Sequence, residues 1–305
     1  MAKYWLFRLA AVIAPRVPLW IARPFAVAVG TVLWAVAGDT RRRAIRNLRH
    51  APSLAEHPER LHAASRGVFQ LMAVNYLDFF RGRMLSDDEV RRGWTIDNVE
   101  LFERAKAQGR GVILLSGHFG NWEFGASRLG LFAENAITPA ERMRPERLFD
   151  LFCALRNHHG VRVVPGDSRD ALRDMLETLK GGGTALVLAD RYVLGASADV
   201  TFFGEPAKLP TGPFALALRS EAAVLAAFTW SEGPGRSHGL FVPLGIGDAS
   251  ESSDVSGGAA VAATRTRSAE RIAQLQQQFL RALETVIAQH PEQWVSALMP
   301  VWEAR

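Results

Sequence analysis

The stretch from Gly111 to Glu123 constrains the fold of this chain more than any other part of the sequence. Its apolar run, Val112 to Leu115, predicts a buried strand, and the glycine-containing turn that follows breaks that strand. Asn121 is a favourable N-cap residue, so the sequence predicts a helix from there onward. His118 thus lies between a strand and a helix, and Glu123 lies in the first helical turn. Because ligands bind at the carboxyl ends of strands in open α/β sheets, this turn is a candidate site.

A histidine and a carboxylate in this turn can act together as a base and the group that orients it. A neutral imidazole at His118 can take a proton from a hydroxyl as the hydroxyl oxygen attacks an acyl carbon. A carboxylate at Glu123, bound to the other ring nitrogen, would fix the tautomer and stabilise the imidazolium that forms. The same two residues are also compatible with a histidine that caps a strand end and a glutamate on the surface.

Predicted strands and helices alternate along the rest of the chain, which indicates an α/β fold with a mostly parallel sheet flanked by helices. Strands are predicted at residues 94–97, 112–115, 136–141, 161–164, 184–189, 200–203 and 224–230. Residues 244–264 are rich in Gly, Ser and Ala, show little periodicity, and are predicted to form a mobile loop. We therefore expect one α/β domain over residues 41–305, with this loop inside it.

Residues 1–40 form a strongly apolar N-terminal segment that is predicted to associate with a membrane. Its longest uncharged run, residues 24–38, is short for the about 20 residues that a transmembrane helix needs. An interfacial or re-entrant anchor is expected, and a true span or a helix packed on the core are the alternatives. Five arginines follow at once and favour anionic lipid headgroups: Arg41, Arg42, Arg43, Arg46 and Arg49. If the segment spans, they place the following domain on the cytoplasmic side.

The string Gly-His-Phe-Gly-Asn-Trp-Glu, residues 117–123, resembles the signature of the lysophospholipid acyltransferase superfamily in its lipid A biosynthesis acyltransferase branch. Members of that branch carry H-x-x-x-x-D/E, which His118 and Glu123 match. The resemblance covers roughly residues 41–302 and includes further short pieces in the same order: LKGG at 179–182, LADR at 188–191, FFGE at 202–205, LPTGP at 209–213 and PEQW at 291–294. Residues 140–149 differ from the lipid A enzymes and are more similar to the phosphatidylinositol mannoside acyltransferases.

The resemblance implies a glycerolipid acyltransferase-like fold and transfer of a fatty acyl group to a hydroxyl of a glycolipid of the lipid A or phosphatidylinositol mannoside type. The donor would be a thioester, acyl-CoA or acyl carrier protein, and no further cofactor is expected. His118 would be the general base and Glu123 its orienting carboxylate. The enzyme would act at the cytoplasmic face of the inner or plasma membrane.

Four more residues are candidates for substrate binding. Asp190 and Arg191 follow the predicted strand 184–189 and so share the sheet edge that carries His118. Arg191 could hold a phosphate or stabilise an oxyanion, or Asp190 and Arg191 could form an ion pair in a turn. By the resemblance, Glu141 and Arg156 occupy positions that the mannoside acyltransferases use at the site. They are also compatible with a buried pair that ties a helix to a strand.

The net charge and the motifs of the sequence exclude several classes of protein function. The formal net charge of +5 suits an anionic partner, but the arginine cluster has no interleaved aromatic residues, so no nucleic acid is expected. The one cysteine, Cys153, rules out an internal disulfide framework, and no His or carboxylate cluster has metal-ligand spacing. The motifs of serine hydrolases and dinucleotide-binding folds are absent. A lysophospholipid acyltransferase and a non-catalytic basic protein that binds membranes or nucleic acid are the alternatives to glycolipid acylation.

Overall fold

The computed structural model describes residues 1–191, 195–245 and 258–302. Its α-helices are α1 Ala2–Ile13, α2 Leu19–Val36, α3 Gly38–Leu48, α4 Pro52–Ala55, α5 Leu61–Arg81, α6 Asp87–Arg92, α7 Val99–Ala107, α8 Trp122–Arg128, α9 Glu146–Arg156, α10 Arg169–Lys180, α11 Gly212–Ser220 and α12 Gly258–Gln289. Its strands are β1 Trp94–Asp97, β2 Val112–Ser116, β3 Ala136–Ala140, β4 Val161–Pro165, β5 Thr184–Leu188, β6 Ser197–Phe202, β7 Glu205–Pro210, β8 Ala223–Gly233 and β9 Arg236–Pro243.

Seven strands form the central sheet in the order β1-β9-β8-β2-β5-β3-β4, and β6 with β7 forms a separate antiparallel hairpin. Within this sheet, β8 and β9 are antiparallel to each other. The other neighbouring pairs among the described strands are parallel: β2–β5, β2–β8, β3–β5, β3–β4 and β1–β9. The predicted fold, a mostly parallel sheet flanked by helices, is therefore confirmed. All five residues of β2 are buried, as expected for a strand covered by helices on both faces.

Strand β2 lies in the middle of the sheet, and its neighbour β5 runs parallel to it in register, with Ser116 opposite Leu188. The carboxyl ends of both strands consequently open at the same edge. One face of the sheet carries the main core, in which Phe119, Phe228 and Trp294 are almost fully buried. This packing fixes the turn after β2 between the sheet and the C-terminal part of the chain.

The region predicted as a mobile loop, residues 244–264, differs in part from that prediction. Residues 246–257 lie outside the described residues, but from Gly258 onward the chain is in helix α12. The alanines of residues 258–263 explain the difference, because alanine has the highest helix propensity even where no apolar periodicity exists. Strands β7 and β9 were not predicted at all.

The N-terminal helices pack on the rest of the protein along one side only. Helix α2 contacts α5 through small residues, and a Cβ added to Gly30 would lie 2.5 Å from the Cα of Gln70. The opposite side of α1 and α2 exposes large apolar residues: Trp5, Leu6, Leu9, Val12, Ile13, Trp20, Ile21, Phe25, Val29, Val32, Leu33 and Val36. By length and composition α2 could cross a membrane. The segment thus combines a packed helix face with an apolar outer surface.

Candidate active site

The turn that carries His118 is shaped by two glycines and an N-cap. Gly120 has a φ of +55°, and a Cβ there would lie 2.1 Å from the carbonyl oxygen of Thr229, so only glycine fits. Asn121 caps α8 as predicted, since its Oδ1 accepts a hydrogen bond of 3.2 Å from the backbone N–H of Phe124. The amide of Asn121 also donates to the carboxylate of Asp78 at 3.1 Å. The turn is therefore held by its own backbone and by neighbouring elements.

His118 is paired with Asp190. The imidazole Nδ1 lies 2.9 Å from Asp190 Oδ1, and the His118 backbone N–H donates to Asp190 Oδ2 at 2.8 Å. Gly117 makes this approach possible, because a side chain there would come within 3.2 Å of the Asp190 carboxyl. The Asp190 side chain is 1% exposed and the His118 side chain 15% exposed. The buried carboxylate thus fixes a ring that still reaches solvent.

The prediction that Glu123 orients His118 is wrong in this structure. Both Glu123 oxygens accept hydrogen bonds from the guanidinium of Arg156, which donates from Nε at 2.9 Å and from Nη2. The reason is geometric: parallel neighbours β2 and β5 bring His118 and Asp190 to one edge, whereas the first turn of α8 directs Glu123 towards α9. Glu123 and Arg156 are part of the same region, but they pair with each other.

In each pair the surroundings favour the charged form of one member, which is Asp190 in the first pair and Arg156 in the second. Burial by itself would raise the pKa of Asp190, but the charge and hydrogen bonds of His118, with a hydrogen bond from Ser296, hold that pKa below its usual range. For Arg156 burial would lower the pKa, but the adjacent Glu123 carboxylate raises it. Burial, followed by the Glu123 charge, raises the pKa of the Tyr76 phenol. Asp190 and Arg156 are therefore held ionised.

Arg191 lies at the same sheet edge and contacts the end of β3. Its Nη2 lies 2.8 Å from Glu141 Oε2, and its Nε is buried without a hydrogen-bond partner among the described residues. Neither of the structural pairs considered from the sequence forms: Asp190 binds His118 instead of Arg191, and Glu141 binds Arg191 instead of Arg156. A guanidinium has five N–H donors, and the Arg191 side chain is 27% exposed, so it can donate to a further group at the edge of the site.

One residue that sequence reasoning missed contacts the pair directly. Ser296 is 1% exposed, and its hydroxyl donates to Asp190 Oδ2. The PEQW string at 291–294 was singled out, but its strongest local signal, Pro291 after a long helix, indicates only where the helix ends. Nothing in the sequence shows that the two residues after Trp294 turn back to the site.

Two cavities lie on the face of the sheet that α7 and α8 cover, and His118 itself lines neither of them. The first, of about 40 Å³, touches Ser116 and Trp122, and the Trp122 ring centroid is 5.3 Å from that of His118. The second, of about 210 Å³, shares wall residues with the first. It is lined further by Val99, Phe102 and Phe132 and by the charged residues Glu103 and Lys106. The shared wall consists of Trp94, Ile96, Leu129 and Phe241. Mostly apolar space of this kind suits a hydrocarbon ligand.

Comparisons with known proteins show the family to which this chain is similar. The family described as bacterial lipid A biosynthesis acyltransferase matches residues 1–299. A phosphatidylinositol mannoside acyltransferase of Mycobacterium tuberculosis (strain H37Rv) is 30% identical over 241 residues, which are 78% of this chain and 66% of that protein. The protein of the same description from Mycolicibacterium smegmatis is 31% identical over 157 residues, 50% of this chain and 52% of that protein. The chain thus spans slightly under two thirds of the first relative.

Proposed function

The chain belongs to the bacterial lipid A biosynthesis acyltransferase family, and we propose that it transfers a fatty acyl group from a thioester donor to a hydroxyl of a glycolipid. The observation that carries this proposal is the His118–Asp190 pair at the end of the central strands. A carboxylate on Nδ1 holds the proton there and leaves Nε2 with a lone pair. The donor is acyl-CoA or acyl carrier protein, and the acceptor is a glycolipid of the phosphatidylinositol mannoside or lipid A type.

The reaction follows from the position of the imidazole. Nε2 of His118 takes the proton of the acceptor hydroxyl while the hydroxyl oxygen forms a bond to the thioester carbonyl carbon. The tetrahedral intermediate then collapses, the carbon–sulfur bond breaks, and the thiolate takes the proton from the imidazolium. The products are an ester and a free thiol. Asp190 stabilises the imidazolium between the two steps without taking its proton.

The other predicted site residues take separate roles in this proposal. Arg191, whose side chain is 27% exposed, binds a phosphate of the donor or acceptor, or the oxyanion, and Glu141 orients its guanidinium. Arg156 is engaged in two hydrogen bonds with Glu123 and serves to hold α9 against α8. The two apolar cavities receive the fatty acyl chain. The proposal requires no metal ion.

One experiment tests the reaction and identifies the substrates. The protein is incubated with radiolabelled acyl-CoA or acyl carrier protein and, in parallel, with phosphatidylinositol mannosides, a lipid A precursor or a lysophospholipid. We expect an acylated glycolipid and free thiol, and His118→Ala should abolish both. Transfer to lysophospholipid alone would favour the alternative acceptor. Binding of lipid without turnover of any thioester would refute the enzyme and favour a non-catalytic membrane protein.

The acceptor is a lipid, and the N-terminal helices are proposed to hold the enzyme on a membrane at its cytoplasmic face. The exposed apolar side of α1 and α2 is larger than monomeric soluble proteins usually leave uncovered. Of the five arginines, Arg41 donates to the carbonyls of Trp34 and Ala35 and Arg43 to that of Leu298. Arg42, Arg46 and Arg49 are exposed, with Arg42 paired to Asp39 of the same helix, and in this proposal they form the positive surface towards the lipid.

Liposome binding can separate the electrostatic contribution of the arginines from the apolar contribution of the exposed helix side. Each exposed arginine near an anionic surface is worth about 1 kcal/mol, screened by salt. Replacing Arg42, Arg46 and Arg49 by glutamine should therefore weaken binding to anionic vesicles at low salt. Trp20→Ser with Phe25→Ser should weaken the salt-resistant part. Equal binding of the wild type to neutral and anionic vesicles at low salt would show that the arginines are only a solvated helix face.

A further inference from the structure

The segment after the last long helix returns to the active site and holds the turn that carries His118. The backbone N–H groups of Val295 and Ser296 both donate to the His118 carbonyl, at 2.9 and 3.1 Å. The backbone N–H of Gly120 donates to the carbonyl of Gln293 at 2.7 Å. We call residues 293–296 the C-terminal clasp. Its hydrogen bonds leave little freedom to the turn between β2 and α8.

The clasp also supplies a side chain to the pair itself. The Ser296 hydroxyl donates to Oδ2 of Asp190, the oxygen that also accepts the His118 backbone N–H. Oδ1, the other oxygen, accepts the imidazole Nδ1–H at 2.9 Å. With two donors on Oδ2, the carboxylate plane is fixed and Oδ1 is directed at the ring. Ser296 is thus the third member of the hydrogen-bond chain His118–Asp190–Ser296.

We propose that Ser296 is a positioning residue for acyl transfer, which acts by fixing the Asp190 carboxylate so that His118 is held as a base with a free Nε2. The proposal rests on the acyltransferase function proposed above. Ser296 does not touch the reacting atoms, since it lies on the far side of Asp190 and is almost fully buried. Its hydroxyl is nevertheless bound to the one carboxylate that touches the base.

Loss of the hydroxyl should have two effects with a defined direction. First, Asp190 loses one of the donors that fix its plane, so the imidazole is oriented less well and kcat falls. We expect kcat to fall by about 10- to 100-fold, which corresponds to the typical free-energy cost of removing a hydrogen bond to a charged group. Second, the carboxylate that remains is less neutralised and becomes a stronger acceptor for Nδ1–H. The acid limb of the pH–rate profile, which reports protonation of the interacting pair, should therefore move to higher pH.

A merely structural role predicts a different result. Ser296 could simply satisfy a buried carboxylate, in which case its loss would lower stability and leave the catalytic parameters of the folded fraction unchanged. Ser65 offers a matched control, since it is also a fully buried serine and its Oγ accepts a 2.7 Å hydrogen bond from Trp34 Nε1, far from the site in the sequence and on other elements. Ser65→Ala should lower the melting temperature without moving the pH profile.

The experiment compares Ser296→Ala, Ser296→Thr and Ser65→Ala in the full chain. Two quantities are measured: kcat and KM for thioester turnover across pH, and the downfield proton signal of the His118 Nδ1–H by NMR. For Ser296→Ala we expect lower kcat, unchanged KM for the thioester, an acid limb at higher pH and a signal shifted further downfield. Ser296→Thr, which keeps the hydroxyl, should restore the acid limb and the signal.

Each other outcome has a clear meaning. An unchanged acid limb and an unchanged Nδ1–H signal in folded Ser296→Ala would overturn the proposal. If Ser296→Ala does not fold, Ser296→Cys is compared with Ser296→Thr, because a thiol is a weaker hydrogen-bond donor than a hydroxyl. A shift of the acid limb and of the Nδ1–H signal in the cysteine variant alone supports the proposal. The same acid limb and the same signal in both variants overturn it. If the wild type turns over no thioester, the proposed function fails, but the NMR signal still tests the hydrogen-bond chain.

Discussion

Replacing Asp190 by asparagine is the perturbation that most directly tests the assignment of the base. The two side chains have almost the same size, so the change removes the charge and one acceptor with little change in packing. Oδ2 of Asp190 accepts from the His118 backbone N–H, which is a donor only. An asparagine must therefore place its carbonyl oxygen at the Oδ2 position. Its NH2 group then faces Nδ1 of His118.

That orientation has a specific chemical consequence. An NH2 group can only donate, so Nδ1 must become an acceptor and the imidazole proton moves to Nε2. The nitrogen that should take the proton of the acceptor hydroxyl is then already protonated. The loss should approach the value of the whole general base, about 10²- to 10⁴-fold in kcat, or about 3–5 kcal/mol of transition-state stabilisation.

The assay compares Asp190→Asn with Glu123→Gln in thioester turnover, with folding of both variants checked by circular dichroism. We expect the larger loss for Asp190→Asn. Combined with His118→Ala, the asparagine should add almost nothing, since the two residues act as a unit. The opposite result would be a larger loss of turnover for Glu123→Gln than for Asp190→Asn, with only Glu123→Gln having no further effect when it is combined with His118→Ala. In that case Glu123 orients the base, and the His118–Asp190 pairing is refuted.

Four further outcomes are expected. Glu123→Gln and Arg156→Gln should each lower the free energy of unfolding by about 3–5 kcal/mol in urea titrations, because each leaves a buried partner unpaired, and the double variant should lose less than the sum. The pKa of Asp190 is lower in the folded than in the unfolded state, so the ionised carboxylate stabilises the fold above its unfolded pKa. This stabilisation is lost as the pH falls from about 4, the unfolded pKa, through the lower folded pKa. Asp190→Asn should therefore show a smaller loss of stability than the wild type over that pH range in acid unfolding. Gly30→Val should destabilise the protein, whereas Val32→Ala, on the exposed side of the same helix, should be nearly neutral in thermal melts. Leu129→Phe, at the wall shared by the two cavities, should shift turnover towards shorter acyl chains, and an unchanged chain-length profile would place the acyl chain elsewhere.

The sequence was sufficient for those features that depend on local patterns. An apolar run, a glycine turn and an N-cap identified β2, His118 and α8, and the alternation of strands and helices identified a mostly parallel sheet. The rule that ligands lie at strand ends also brought Asp190 and Arg191 to the edge that carries His118. All of these inferences use residues close together in the chain or a general property of parallel sheets.

The partner of His118 could not be predicted, because it depends on which strand lies beside β2. Glu123 is five positions from His118 and was the natural choice in the sequence, whereas Asp190 is 72 positions away. Only the sheet order, with β5 next to β2, makes Asp190 the neighbour. Ser296 is still more remote, since the fold of the C-terminal clasp decides its position. The sequence therefore indicated where the candidate site lies but could not assign the contacts inside it.

The Glu123–Arg156 ion pair connects the helix after His118 to the aromatic residues that pack against the N-terminal helix α1. The Arg156 guanidinium lies 5.7 Å from the ring centre of Phe79 and 5.6 Å from that of Phe152, so the pair rests on an aromatic cluster. Phe7 of α1 packs in the same cluster, 5.4 Å from Phe152. The helix proposed to contact the membrane is therefore joined to the helix after His118 by continuous packing and one buried ion pair. Such a connection would fix the height of the site above the bilayer, which a lipid acceptor anchored in that bilayer requires.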